Sequence, residues 1–389
     1  MDKQSKVLYF SRTTLFGGAE ISMYDLIRKL DNERYQTVCI LPNRGGLLYK
    51  KLQKEKVEIK IFQMPFIRKT FNPFLLFWFF IVLIYSNIRL IFTIKKINPD
   101  IVVCNSFQDS FYAAIPTKIL RKKLIINIKN ILDKKWKKKF RAKICEIFAN
   151  KIIASSKKNA NDYKNYSNKK EKAIVIYDGI DADEFGTGYS EQDVYLEYLS
   201  EEDKSIKIIN VGNISELKGQ LLLVESITSE ILKDLDLKVF LVGSVNFEKD
   251  ISYKEKIVDF VKKECLKDKV FFTGYIENIK DYIAYSDIVV HCPILEEGLG
   301  MVVLQAFCYK KLVIGTNIGG IPEMIDDNEN GFLCQTNSKD LAEKIFYLIE
   351  NINNLNEIRQ NGYQKLRKYF TLDDKIVKTE KVYQELLSK

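Results

Sequence analysis

The stretch from Ser286 to Ile325 reads SDIVVHCPILEEGLGMVVLQAFCYKKLVIGTNIGGIPEMI. An apolar run leads into an acidic loop with two glycines, then into a helical pattern, a second short apolar run and a glycine pair. Strand, loop, helix and strand in this order predict a βαβ unit, whose ligands bind beyond the carboxyl ends of the strands. The acidic loop occupies that position. Gly298 and Gly300 let the backbone approach a ligand, and the following helix N-terminus offers free N–H groups to an anion.

The rest of the chain repeats this alternation of apolar runs and helical patterns. With 389 residues, 46% of them hydrophobic, the chain is long enough for two globular domains. Strands alternating with helices predict an α/β fold with parallel, doubly wound sheets. We expect a first domain at residues 1–180, a linker or insertion at 181–205, a second domain at 206–365 and a C-terminal helix at 366–389.

The opening stretch resembles the donor-site signature of retaining family 4 glycosyltransferases (glycosyl transferases group 1). The matching residues are Asp287, His291, Glu297, Gly298, Gly300, Ala306, Gly319, Gly320, Pro322 and Glu323, while Gln305 replaces the second glutamate of the family. The resemblance implies the GT-B fold, in which two Rossmann-like domains face a cleft and the C-terminal helix crosses back to the first domain. It also implies a bacterial enzyme of the surface-polysaccharide type.

The same resemblance assigns donor-binding residues along the chain. It implies that Glu297 contacts the donor sugar near the reacting carbon and is the catalytic carboxylate. The remaining donor-side candidates are Gly17, Gly18, Gly212, Asn213, Lys218, Tyr275, Ile276, Gly298, Leu299, Gly300 and Gln305. Asn213 stands where the family has arginine, so Lys218 is the cation expected at the donor diphosphate. A lysine beside a helix N-terminus suits a diphosphate.

Acceptor-side candidates lie in the first domain. By resemblance, Gly17, Gly18 and Glu20 form a turn near the donor phosphates and the acceptor. Asn105 and Asn127 stand near positions where relatives carry histidine, and an amide can bind a sugar hydroxyl but cannot act as a base. His291 is the single histidine of the chain. Because it ends a buried strand, a structural role is favoured over a catalytic one.

The sequence predicts neither a metal ion nor another cofactor. Seven scattered cysteines with a single histidine exclude a Cys/His zinc site and suggest a reducing compartment. No Asp-x-Asp appears in a donor loop. The N-terminus passes directly into a strand-like run without the apolar region of a signal peptide, which favours a cytoplasmic location.

The charge of the chain is distributed unevenly. Residues 1–180 carry 36 Lys and Arg against 14 Asp and Glu, whereas residues 181–389 carry 25 against 37. Two solvated surfaces would explain this, but an excess of +22 in one half favours an anionic partner. The basic runs lack the patterning of nucleic-acid modules, so no nucleic-acid partner is predicted. An anionic membrane surface fits better.

Thr70 to Ile88 is an uncharged run of 19 residues. It is borderline for a transmembrane helix, but strands of one sheet precede and follow it, which argues against spanning. A core helix remains an alternative, although aromatic residues on every face exceed what one sheet covers. We therefore expect a membrane-interfacial segment at residues 70–94.

Together these features predict a retaining, metal-independent hexosyltransferase. It would move a sugar from a nucleotide-diphosphate sugar, a UDP-sugar above all, to a lipid-linked or cell-surface glycan, for lipopolysaccharide or capsule synthesis at the inner face of the plasma membrane. The main alternative is a catalytically weakened GT-B subunit that binds a partner or glycan, and a third is a sugar-nucleotide epimerase of similar fold. Asn213 and Gln305 replace charged residues of the family, and the first domain lacks the family's histidine. These differences motivate the main alternative.

Overall fold

The computed structural model describes residues 4–64, 73–187, 198 and 203–388, and it divides the chain into two compact units. The first unit combines Met1–Asp178 with Leu372–Lys389, and the second is Gly179–Thr371. The chain therefore leaves the first unit once and returns to it with its last residues.

The first unit contains a seven-stranded parallel sheet in the order β3-β2-β1-β4-β5-β6-β7. Its strands and helices alternate along the chain, as follows: β1 Ser5–Phe10, α1 Gly18–Lys29, β2 Tyr35–Leu41, α2 Leu47–Lys54, β3 Glu58–Ile61, α3 Pro73–Ile97, β4 Ile101–Cys104, α4 Ser110–Ile119, β5 Lys123–Ile128, α5 Lys135–Phe148, β6 Lys151–Ala154, α6 Lys157–Lys164 and β7 Ala173–Val175.

The second unit contains a six-stranded parallel sheet in the order β10-β9-β8-β11-β12-β13. Its elements are α7 Ala182–Phe185, β8 Ile206–Val211, α8 Gln220–Ser226, β9 Leu237–Val242, α9 Ile251–Lys263, β10 Val270–Gly274, α10 Ile279–Tyr285, β11 Ile288–His291, α11 Met301–Cys308, β12 Leu312–Thr316, β13 Phe332–Cys334, α12 Ser338–Glu350 and α13 Asn356–Tyr369. The predicted α/β architecture with two Rossmann-like parallel-sheet domains is confirmed.

Helices cover both faces of the first sheet, which explains why its strands are apolar on both sides. Val7 to Phe10 of β1 are all buried. Leu8 and Phe10 pack with Leu90 and Ile94 of α3, while Val7 packs in a second cluster on the opposite face.

The last helix, α14 (Leu372–Leu387), belongs to the first unit. Its Tyr383 is fully buried, and the hydroxyls of Tyr383 and Tyr9 lie 2.8 Å apart in a hydrogen bond. Lys375 donates a hydrogen bond to the Asp178 carboxylate at 3.2 Å. A buried lysine is tolerable only with such partners, so this pair joins the end of the first chain segment to the returning helix.

Helix α3 is buried on one narrow stripe and exposes large apolar side chains elsewhere. Leu90, Ile94 and Ile97 face the sheet, whereas Trp78 is 63% and Phe92 is 68% exposed. Within the described ranges, no helix is long and apolar enough to cross a membrane. The first three residues of the predicted interfacial segment, 70–72, lie outside the described residues.

Candidate active site

The strand order of the second unit reverses direction between β8 and β11. From β8 the chain continues to β9 on one side, whereas β11 continues to β12 on the other. Ligands of open α/β sheets bind at the carboxyl ends of the strands at such a point. Lys218 follows β8, His291 is the last residue of β11, and Glu297 lies in the loop that follows.

The structure brings these three side chains together. Lys218 Nζ lies 2.6 Å from Glu297 Oε1, and His291 Nε2 lies 3.1 Å from Glu297 Oε2. His291 is only 2% exposed. Burial alone would raise the pKa of the Glu297 carboxyl, but Lys218 and then His291 overcome burial and hold that pKa well below its usual range. Glu297 is therefore a carboxylate at every physiological pH.

The backbone of the Lys218 loop is fixed by the loop after β11. Gly219 has a φ of 68°, and a Cβ there would lie 2.0 Å from the Cys292 carbonyl oxygen. The Ile294 N–H donates to the Leu217 carbonyl oxygen at 3.0 Å. Glycine is required at position 219 because both the left-handed conformation and the close approach exclude a side chain. The lysine is thus held beside the acidic loop.

Two further glycines position the carboxylate and the histidine. The Gly320 N–H donates to the Glu297 carbonyl oxygen at 2.9 Å, and a Cβ at Gly319 would lie 2.3 Å from the same oxygen. A Cβ at Gly300 would lie 2.4 Å from His291 Nε2. The glycine pair of the opening stretch therefore supports the Glu297 main chain, and Gly300 makes room for the imidazole ring.

The other predicted donor residues of the second unit are spread along the same sheet edge. Gly212 and Asn213 directly follow β8, and the Lys218 stem lies beside Gly212. Gly298, Leu299 and Gln305 are buried in the acidic loop and in α11. Tyr275 is 57% exposed and, like Ile276, follows the edge strand β10. In the order of the sheet, β10 is two strands away from β8.

The first unit has a corresponding reversal between β1 and β4. Gly17 caps the N-terminus of α1, Gly18 begins it, and Glu20 lies in its first turn. Burial raises the pKa of the Glu20 carboxyl to about 7, with Lys129 opposing the shift. A carboxyl that titrates near neutral pH can exchange a proton with a bound hydroxyl group.

Asn105 and Asn127 lie at the carboxyl edge of the same sheet. Asn105 follows β4 and is buried, and Asn127 is the fifth residue of β5. In the part of the chain that the structure describes, the side-chain oxygen of each is buried without a hydrogen-bond partner. An unsatisfied buried oxygen is costly, so each is free to accept a hydrogen bond from a ligand or a water.

Sequence reasoning missed a buried ionic network beside Asn127. Lys129 donates to the Ala19 carbonyl oxygen at 2.9 Å and to the Ser22 hydroxyl at 3.0 Å, and its Nζ lies 4.0 Å from Asp178. Ser22 also donates to Asp178, which Lys375 joins. Together with Asn127, the side chains of this network line a cavity of about 30 Å³, enough for about one water molecule; they are Ser22, Lys129, Asp178 and Lys375. The sequence feature that could have indicated this network is Lys129, a cationic residue directly after the apolar strand β5.

Among the residues that the structure describes, no group of three or more His, Cys, Asp or Glu side chains could hold a metal ion. The positive charge beside the acidic loop is supplied by Lys218.

Comparison with known proteins identifies the two halves. Residues 16–184 match the family described as Glycosyltransferase Family 4, and residues 192–365 match the family described as Glycosyl transferases group 1. The chain is a glycosyltransferase. Its first unit carries the family 4 match and its second the group 1 match, which confirms this part of the resemblance that the opening stretch suggested.

Individual relatives of this glycosyltransferase are distant. An uncharacterized glycosyltransferase of Methanocaldococcus jannaschii is 29% identical over 258 residues, which are 66% of this chain and 65% of the relative. A second one from the same organism is 24% identical over 96% of each chain. Among solved structures, that of Anabaena HepE in complex with UDP and glucose has a TM-score of 0.84 at 20% identity, covering 98% of this chain and all of HepE. This likeness shows the GT-B fold. These matches do not favour the alternative of a catalytically weakened subunit that binds a partner or glycan.

Proposed function

We propose that this glycosyltransferase moves a sugar from a UDP-sugar, with retention and without a metal ion, to a lipid-linked or cell-surface glycan. The observation that carries the proposal is the contact of Lys218 and His291 with the two oxygens of Glu297 at the reversal point of the second sheet. A cation for the leaving diphosphate and an ionised carboxylate for the sugar are thereby adjacent.

In this proposal Lys218 exchanges partners when the donor binds. Its ammonium group pairs with Glu297 in the structure, and an entering diphosphate competes for the same charge. The N–H groups beside Gly298, Leu299 and Gly300 add donors at the start of α11. Fixed donors aimed at developing negative charge lower the barrier for departure of the leaving group.

Glu297 then stabilises the positive charge that develops at the sugar carbon. Because its pKa is held low, it remains an anion through the reaction. Retention follows if the acceptor attacks from the face that the diphosphate leaves. Glu20, Asn105 and Asn127 are proposed to bind acceptor hydroxyls.

The proposal that the donor carries uridine rests on the similarity of this chain to a solved structure. Anabaena HepE, of the same fold, was solved with UDP and glucose. Asn213 and Gln305 replace charged residues of the family, so we expect nucleotide binding to be weak while transfer is retained.

The direct test is calorimetry with UDP, GDP and ADP, followed by transfer assays with the corresponding sugars. We expect UDP to bind tightest, chelation of divalent ions to leave transfer unchanged, and NMR to give a product with the anomeric configuration of the donor. Binding of none of the three diphosphates would contradict the proposal, and an inverted product would contradict retention.

The acceptor side is proposed to operate at the inner face of the plasma membrane. The first half of the chain carries the excess of positive charge, and α3 exposes Trp78 and Phe92. A basic surface with exposed aromatic residues attaches to anionic bilayers through both charge and apolar burial. A membrane-attached enzyme would reach lipid-linked glycans without crossing the bilayer.

Trp78→Asp is expected to weaken binding to phosphatidylglycerol-containing vesicles by about 10- to 100-fold, because it removes a large apolar side chain and adds a negative charge. Vesicle flotation measures the effect. Phe247→Asp is the matched control, since Phe247 is a 47% exposed aromatic residue of the second unit. Equal binding by the two variants would contradict the role of α3.

A further inference from the structure

A basic pocket lies at the edge of the first sheet opposite to Asn105 and Asn127. It is formed where α4 and α5 end and where β5, β6 and β7 begin, and its volume is about 270 Å³. We define it by its five cationic side chains, which are Lys118, Arg121, Lys122, Lys123 and Lys172. No Asp or Glu is among the residues that line it. Nothing in the proposed sugar transfer uses these residues.

Three of the five cations donate hydrogen bonds to neutral oxygens, and Lys118 also lies 5.2 Å from the centroid of the Phe148 ring. Lys118 donates to the Ile147 carbonyl oxygen at 3.3 Å, Lys172 donates to the Glu146 carbonyl oxygen at 2.9 Å, and Lys122 donates to the Asn98 side-chain oxygen at 2.7 Å. Lysines at carbonyl groups of a helix C-terminus are common and stabilise the helix. Lys118 and Lys172 therefore have a structural role at the end of α5.

Arg121 and Lys123 have no such role. In the described part of the chain neither side chain has a hydrogen bond or ion pair, and none of the five cations is paired with a carboxylate. Arg121 has a φ of 53°, a left-handed conformation that is uncommon for a residue with a side chain. Five like charges around one concavity repel one another, and a bound anion relieves that repulsion.

We propose that this basic pocket binds a phosphate group. Arginine and lysine are the side chains that bind phosphate in proteins, arginine through paired N–H donors and lysine as a point charge. The volume is slightly below the roughly 300 to 1,000 Å³ of sites for drug-sized ligands, which suits a small phosphate ester.

Two sources share this chemistry, a lipid headgroup and a soluble phosphate ester. Ile119 at the end of α4 is 59% exposed and Ile147 near the end of α5 is 44% exposed, so apolar side chains border the pocket. The lipid source rests on the membrane attachment proposed above, whereas phosphate binding itself does not.

The test uses the double variant Arg121→Gln/Lys123→Gln, whose side chains have no polar partner to lose. The matched control is Lys50→Gln/Lys54→Gln, which removes the same charge from exposed positions of α2 on the opposite face of the sheet. The soluble probe is glycerol 3-phosphate, measured by calorimetry. The lipid probe is flotation with phosphatidylcholine vesicles that contain or lack phosphatidylglycerol.

We expect the pocket variant to lose about tenfold or more in phosphate binding while the control binds as the wild type does. Loss of binding to phosphatidylglycerol vesicles identifies a lipid phosphate, and loss for glycerol 3-phosphate alone identifies a soluble ester. The proposal is overturned if the two double variants behave alike with both probes, or if the wild type binds neither. UDP calorimetry on the same variants reports the donor site separately, so failure of either proposal is recognised independently.

Discussion

Glu297→Gln is expected to lower kcat for sugar transfer by about 100- to 1,000-fold without weakening UDP binding. The substitution keeps the shape and hydrogen-bonding capacity of the side chain but removes its negative charge. In the structure that charge is stabilised by Lys218 at 2.6 Å and lies beside His291 at 3.1 Å. Its loss removes an interaction that strengthens only as the sugar carbon becomes positive.

This prediction is specific because kcat should fall while the affinity for UDP does not. The Glu297 carboxylate forms an ion pair with the Lys218 ammonium group. Neutralising Glu297 therefore leaves Lys218 free to pair with the diphosphate. We therefore expect the dissociation constant for UDP to stay the same or to fall. Glu296→Gln removes the same charge one residue earlier and is expected to retain most of the activity. A parallel loss of UDP binding and kcat in Glu297→Gln would contradict the separate roles of the two residues.

Lys218→Gln is expected to weaken UDP binding by about 10- to 100-fold, the range for loss of a charge-assisted hydrogen bond. Calorimetry at two salt concentrations measures it, and the salt dependence of UDP binding should decrease in the variant. The same substitution removes the cation that does most to lower the pKa of Glu297, so that pKa rises and part of the carboxylate is protonated at low pH. Transfer by the variant should therefore fall as the pH is lowered, within a range where the wild type is constant.

Lys267→Gln is the control for this variant. Lys267 is an exposed residue of the second unit just before β10, at the sheet edge opposite to the candidate site. The same net charge is lost in both proteins, so a difference between them reports the local contact. Unchanged UDP affinity in Lys218→Gln would exclude Lys218 as a diphosphate ligand.

Much of the fold could be predicted because buried parallel strands are continuous apolar runs. The strand, loop, helix and strand predicted for residues 286–325 correspond to β11, the acidic loop, α11 and β12. Individual strands are harder to locate where an apolar run is short or contains a polar residue. β13 has only three residues, which is too short for any period to be visible, and β5 is interrupted by the polar Asn127.

The candidate site could be predicted residue by residue but not contact by contact. The family resemblance points to Glu297 and to Lys218, which are 79 positions apart. The local sequence around each residue contains no information on their pairing. The prediction favoured a structural His291. The structure places its Nε2 3.1 Å from a Glu297 carboxylate oxygen, and Gly300 leaves room for the ring. The Lys375–Asp178 pair joins residues 197 positions apart and depends on the return of α14.

That return has a consequence for the order of synthesis. A ribosome produces the whole first sheet before it starts the second unit. The core cluster that contains Tyr9 and Met23 is completed only when α14 supplies Val382, Tyr383 and Leu386. Asp178 likewise has no Lys375 until the whole second unit has been translated. The nascent first unit therefore exposes an apolar face while the second unit is synthesised, and the second unit can fold as an uninterrupted segment. Helix α14 thus completes the unit that is synthesised first.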